Sequence, residues 1–374
     1  MSHHEASPSP EEDDVEFRSN GLRLELAPFG LENIIEYERG GYHPVHLGDI
    51  LDSCGRYRVL HKLGHGGYGT VWLCRNLIST ERTQYVALKI IRADASEKDC
   101  PELLLSRLQF AVQEDKHADW SRFICFPLDQ FKIEGPNGTH LCFVYPLLGP
   151  RVSYGAFRGS DNLDKILRDV CHKTAKAIAF LHTQGLCHGE PPEDLGIPGP
   201  YRSPGLILES AAGFPSDLWA LGCTLFEIRT GRKLFSSFDD DDDEYLDGMS
   251  QILGELPEPW RSAASERVKN VYEEARDANA PDVGIQEAGK DQPSVSIIRG
   301  LVHLSVAQGA CSLLDMLNPG LWYIDGPPRS GDFHRDIGTE EKQLFADLVG
   351  KLLSYRPEDR MDAKGALNHE WFKF

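Results

Sequence analysis

Positive charge is scarce in this chain: 39 Lys and Arg stand against 58 Asp and Glu, giving a formal net charge of -19 and a pI near 5.2. Nucleic-acid backbones are held by clustered Lys and Arg. Direct nucleic-acid binding is therefore not expected, and basic partners are favoured. Long apolar runs are also missing. No stretch approaches the roughly 20 residues that span a bilayer, and Met1-Ser2-His3-His4-Glu5 lacks a basic region followed by an apolar one. The expectation is neither membrane insertion nor export, but a monomer of the cytoplasm, the nucleus or both. There is no Cys-x-x-Cys pair, and the nine cysteines fall between Cys54 and Cys311 without regular spacing. That excludes a disulfide framework or a zinc finger as an expectation and points to free thiols in a reducing compartment. His3 and His4 read as part of a solvated tail rather than as metal ligands, and no metal site is expected.

What is present is ample material for a core: 374 residues, 41% of them hydrophobic, with mean hydropathy of -0.36. Residues 1–20, rich in Ser, Pro, Glu and Asp, cannot bury enough surface to order themselves. Residues 56–89 alternate short apolar runs with glycine (RYRVLHKLG, TVWLCRN, QYVALKII), the pattern of three antiparallel strands. Residues 100–112 have helical spacing, and 140–149 (HLCFVYPLLG) read as a buried strand. Beyond that the chain is helical. Apolar positions from Leu163 to Leu181 recur every three or four residues, and SDLWALGCTLFEIRT is a core helix with Ser216 placed as its N-cap. The acidic run 239–244 and the polar stretch 261–300 are expected at the surface. Two helices close the chain around Ser354-Tyr355-Arg356-Pro357.

The segment Leu63-Gly64-His65-Gly66-Gly67-Tyr68-Gly69-Thr70-Val71 fits G-x-G-x-x-G-x-V. Glycines let backbone approach a phosphate closely, since a Cβ there would collide. A ligand-free hairpin fits this segment alone equally well. A dinucleotide fingerprint needs a helix after the glycines and an acid about 20 residues on. Here strand continues instead, and Lys89 of Val86-Ala87-Leu88-Lys89 stands where that acid would be. The order is that of the protein-kinase motifs. A lysine at the end of an apolar strand needs a partner. Glu102, 13 residues on, is the candidate, and it also suits a helix N-terminus for its charge alone. Phe143 to Leu148 would then be the strand and hinge that receive an adenine ring between two lobes.

Gly41-Tyr42-His43-Pro44-Val45-His46-Leu47-Gly48-Asp49, Tyr57 to Leu73, Leu148-Gly149-Pro150 and Asp217-Leu218-Trp219-Ala220-Leu221-Gly222-Cys223 resemble serine/arginine-rich-protein kinases and their filamentous-fungal relatives. Arg356-Pro357-Glu358-Asp359-Arg360-Met361 and His369-Glu370-Trp371-Phe372 are similar to the close of any protein-kinase domain. The resemblance spans roughly residues 40–374. It implies an α+β, bilobal fold: a family-specific extension at 21–55, a small antiparallel ATP-binding lobe at 56–149 and a helical large lobe at 150–374. It implies ATP binding by Leu63, Gly64, Gly66, Gly69, Val71, Ala87, Lys89 and Glu102, with magnesium, and phosphorylation of Ser in Arg/Ser-rich proteins.

The chain departs from that family where the chemistry should lie. Kinases carry H-R-D-x-x-x-x-N, whose Asp takes the hydroxyl proton and whose Asn holds magnesium. Here the segment is His188-Gly189-Glu190, with Leu195 at the Asn position. Only ten residues separate Glu190 from Tyr201-Arg202-Ser203-Pro204, which resembles the end of the activation segment. Asp194-Leu195-Gly196 reads as a turn rather than as the metal-binding Asp-Phe-Gly. Gly205 replaces a glutamate, which would leave Arg360 without its usual ion-pair partner. A segment is thus missing after about residue 190, the large lobe is incomplete, and activity is expected to be weak or lost. His188 and Glu190 remain as degenerate catalytic positions. Asp239, Asp240, Asp241, Asp242 and Asp243 lie where relatives dock Arg-rich substrates, although a charge run also suits a plain solvated loop. The readings left open are a weak kinase, a pseudokinase that binds nucleotide or basic partners, and a truncated product.

Overall fold

The computed structural model describes residues 32–52, 54–79, 84–97, 100–111, 118–149, 160–189, 197–237, 240–267, 312–317 and 337–374, with a few isolated positions between them. The chain divides into two compact units, residues 1–111 with 125–148, and residues 112–124 with 149–374. Glu190, Asp194, Asp239, His3, His4 and nearly all of 268–311 lie outside the described residues.

The first unit is a six-stranded antiparallel sheet in the order β1-β2-β3-β4-β6-β5. Its strands are β1 (Ile50–Leu51), β2 (Tyr57–Gly66), β3 (Gly69–Asn76), β4 (Tyr85–Ile91), β5 (Asp129–Gly135) and β6 (Gly138–Pro146). Because successive side chains point to opposite faces, Trp72, Cys74, Val86, Leu88, Ile90, Cys142 and Val144 share one face and form a closed core with Tyr57 and Val59. Strand β5 was not anticipated. Its Phe131 and Ile133 alternate with polar residues as a strand's should, and Gly135-Pro136-Asn137-Gly138 supplies the turn into β6. Helix α1 (Pro101–Ala111) lays Leu103 on the other face, beside Cys100 just before the helix, with Ile91, Leu141, Phe143 and Tyr145.

The second unit is mainly helical. Helix α2 (Ala118–Ser121) is a single turn, and α3 (Leu163–Thr183) packs on α5 (Phe214–Thr230). Between them α4 (Pro204–Glu209) begins at Ser203, whose hydroxyl accepts the Leu206 N–H at 3.2 Å. Helix α6 (Asp242–Leu253), α7 (Leu313–Met316), α8 (Thr339–Leu352) and α9 (Ala363–Leu367) follow. Trp219, Phe226, Phe345 and Trp371 are fully buried in one core. Inside it Arg229 grips Glu341 bidentately, both N–O distances being 2.9 Å, and the Trp371 indole N–H reaches the same carboxylate at 3.3 Å.

The N-cap expected at Ser216 is corrected. Helix α5 begins three residues earlier, at Phe214 with Gly213 as its cap, since Pro215 fits a first turn that needs no N–H from it. The Ser216 hydroxyl instead donates to the Ala211 carbonyl at 2.9 Å.

Candidate functional site

Strands β2 and β3 meet at Gly66-Gly67-Tyr68-Gly69, with Gly66 opposite Gly69 and Gly64 opposite Val71 after a register shift at Lys62/Gly64. The three motif glycines are not equivalent. A Cβ on Gly69 would overlap the Ile90 carbonyl of the neighbouring strand, whereas a Cβ on Gly64 or Gly66 would meet nothing within 4 Å. Strand packing alone therefore demands glycine at 69. No contact among the described residues demands it at 64 or 66.

Cross-strand pairing puts Val71 beside Lys89, Lys89 beside Phe143, and Ala87 beside Tyr145 on one face. Part of that face lies under α1. Val71, Ala87 and Lys89 are half-buried, and Leu63 at the rim is exposed. The Lys89 ammonium pairs with the Glu102 carboxylate in the first turn of α1, so the ion pair and the helix-end position coexist. The other Glu102 oxygen accepts the Cys100 thiol at 3.2 Å. Burial alone would push the Glu102 carboxyl up. The Lys89 charge and the hydrogen bonds from Lys89 and Cys100 outweigh burial and hold it below the usual carboxylate range.

In the helical unit the organising group is Asp217, in the first turn of α5 and 2% exposed. Its carboxylate accepts the backbone N–H of His188 at 2.6 Å and of Gly189 at 2.8 Å, and lies 3.0 Å from His182 Nε2. The backbone of His188 and Gly189 is thereby fixed, while the His188 side chain is exposed. Asp217 was singled out in the sequence only as part of a family resemblance. An acid inside an otherwise apolar helix was the available signal for its role.

The acidic run is already engaged. Asp240 and Asp242 flank Arg202 at 3.2 and 2.8 Å, Asp243 meets Arg267 at 3.0 Å, and Asp241 caps α6 by accepting two backbone N–H groups. Arg360, expected to lack its usual carboxylate partner, is held by backbone carbonyls. It donates to the carbonyls of Ser354, Pro215 and Tyr355 at 2.7, 2.8 and 3.0 Å and stacks over Trp219. Burial pushes its guanidinium down to about 10. At Gly205 the space a side chain would need abuts the Trp260 ring at 3.3 Å. No group of three or more His, Cys, Asp or Glu that could hold a metal occurs among the described residues. The two open glycines and Lys89 fit a phosphate-bearing ligand.

The protein kinase domain family matches residues 195–372. The chain is 26% identical to the serine/threonine-protein kinase AFC3 of Arabidopsis thaliana, over 90% of this chain and 86% of that protein. It is 31% identical to SRSF protein kinase 3 of Homo sapiens over 40% of this chain, and 32% identical to spk-1 of Caenorhabditis elegans over 41%. Those matches span only 26% and 15% of the respective proteins. The chain is thus similar to serine/threonine-protein kinases, SRSF protein kinase 3 among them, and its antiparallel sheet followed by a helical unit is consistent with the α+β bilobal kinase fold.

Proposed function

We propose that this protein binds ATP on the sheet face of its first unit and that its phosphoryl transfer is weak or absent. The observation that carries the reading is the Lys89–Glu102 pair, set on a half-buried face beside two glycines whose identity no packing contact among the described residues requires. In this reading the Gly64 to Gly69 backbone approaches the phosphates and Lys89 neutralises part of their charge. Glu102 fixes the Lys89 ammonium, while Leu63, Val71 and Ala87 offer apolar surface to the adenine ring. A lysine held by a helix glutamate plays that part in protein kinases.

Transfer is a different requirement. When bound, magnesium ions supply the charge neutralisation that a departing phosphoryl group needs. Here Leu195 occupies the position of a magnesium-binding Asn, and Glu190 that of the hydroxyl-orienting Asp with a side chain one methylene longer. The short interval from Glu190 to Tyr201 is read as the place where a segment bearing the metal ligands is missing. The reaction of the family, transfer to Ser in Arg/Ser-rich proteins, is the ancestral activity. A basic partner remains compatible with the net charge of -19, but docking on Asp240 to Asp243 would require displacing Arg202 and Arg267.

The test is binding of ATP beside Mg-ATP-dependent phosphate incorporation into an Arg/Ser-repeat peptide, for the protein and for Lys89→Met. Binding that Lys89→Met abolishes, with no incorporation from either, is the expected result. Incorporation that disappears with Lys89→Met would show a working kinase and overturn the inactive reading.

A further inference from the structure

The glycine turn is the least supported part of the proposed nucleotide site, because Gly64 and Gly66 have no side chains to pack. Yet two of its carbonyls are held. The Tyr42 hydroxyl donates to the Gly66 carbonyl at 3.0 Å, and the Arg92 N–H donates to the Tyr68 carbonyl at 2.9 Å. Tyr42 comes from the segment before the first strand, 24 residues from Gly66, and is 4% exposed.

Tyr42 is itself braced on several sides. Its ring meets Tyr37 edge-on at 5.6 Å and lies 5.4 Å beneath the Arg92 guanidinium, which pairs with Glu36 and Asp94. The Asn137 side-chain amide donates to the carbonyls of Tyr37 and Tyr42 at 2.8 and 2.6 Å. Backbone bonds from Ala93 to Gly41 and from Asp94 to Gly40, at 3.1 and 2.8 Å, stitch this segment to the chain just after β4. Burial and the neighbouring Glu36 raise the phenol above its ordinary value, so near neutral pH it remains a donor.

A trans peptide carries its C=O and N–H on opposite sides. A carbonyl of Gly66 fixed toward Tyr42 therefore turns the Gly67 N–H away from Tyr42. Backbone N–H groups presented together in a glycine-rich turn form a concavity for anions.

We infer that Tyr42 is a positioning residue for the glycine turn, its hydroxyl holding the Gly66 peptide in the orientation that offers backbone N–H groups to the phosphates of a nucleoside triphosphate. The inference rests on the nucleotide reading above. It gives a function to a segment that in the sequence carried only a family resemblance.

The substitution Tyr42→Phe keeps the ring and its contacts with Arg92 and Tyr37 and removes one hydroxyl. The full chain and this variant are titrated with Mg-ATP and, separately, with adenosine, and amide exchange is followed in both. The expected result is ATP binding about five-fold weaker in the variant, the worth of one neutral hydrogen bond, with adenosine affinity unchanged. Exchange should quicken across residues 64–69 and stay unchanged across 85–91. A variant that binds ATP like the parent, or that loses ATP and adenosine affinity alike, overturns the inference while the nucleotide reading stands. A parent chain that binds neither ligand overturns both.

Discussion

The two units differ in what they have kept. In the first, the groups that would touch a nucleotide sit together: the glycine turn, Val71, Ala87 and the Lys89–Glu102 pair on one sheet face. In the second, on the reading proposed above, scaffold is kept without the groups for transfer. Asp217 still fixes the backbone of His188 and Gly189, and Arg229 and Glu341 still lock the core, but the sequence after Glu190 offers Leu195 where a metal ligand is needed. Binding and chemistry are separable because they draw on different elements. A sheet face built from local hairpins does not depend on the segment that follows Glu190.

The comparison can be broken most forcefully at the core of the second unit. Glu341→Ala should leave Arg229 buried beside too little negative charge and cost about 3–5 kcal/mol. Thermal denaturation should show it as a large fall in Tm. A small change would mean that the helical unit does not depend on this pair. Next in size is a contrast within the glycine motif. Gly69→Ala should destabilise the first unit by about 1–3 kcal/mol, as overpacking does, because its Cβ meets the Ile90 carbonyl. Gly66→Ala should leave denaturation unchanged and weaken ATP binding. Equal behaviour of the two variants would remove the distinction between packing and ligand glycines.

A third prediction concerns pH. His43 and His140 face each other at 4.9 Å, and burial, helped by the His140 ring, pushes His43 down to about 4 from 6.5. A base with a depressed folded pKa favours the folded state only while neutral. Its contribution is full above pH 6.5 and is lost as pH falls toward 4. The acid limb of stability measured by denaturant should therefore flatten between those values in His43→Phe. The smallest effect is expected from Arg202→Ala. Its partners are partly exposed, and such pairs contribute about 0–1 kcal/mol. That variant should bind a basic Arg/Ser-repeat peptide more tightly if Asp240 and Asp242 form the docking surface. Unchanged affinity would remove the acidic run from consideration.

Which features were legible in the sequence follows from the range of the interactions that make them. The glycine turn, β2 to β4 and the Glu102 partner were legible because each is written within a short span, by spacing, alternation or a lysine that needs a counter-charge. The alternation of β5 is equally local, Phe131 and Ile133 alternating with polar residues. The Ser216 cap failed because Ser, Pro and Gly compete within four residues and the proline decided the start of α5. The role of Asp217 and the engagement of the acidic run were not legible. Asp217 works on backbone 28 and 29 residues away, and Arg202 meets Asp242 across 40. Only the folded chain brings those groups together.

The most direct test is a single-turnover experiment, with γ-labelled ATP mixed into an excess of the protein and an Arg/Ser-repeat peptide, quenched, and the label partitioned between ATP bound to protein and peptide. The account predicts label retained as intact bound ATP, lost in Lys89→Met, with the peptide unlabelled. Labelled peptide in the parent chain and none in Lys89→Met would contradict it, and would place a working catalytic centre in the segment around Glu190.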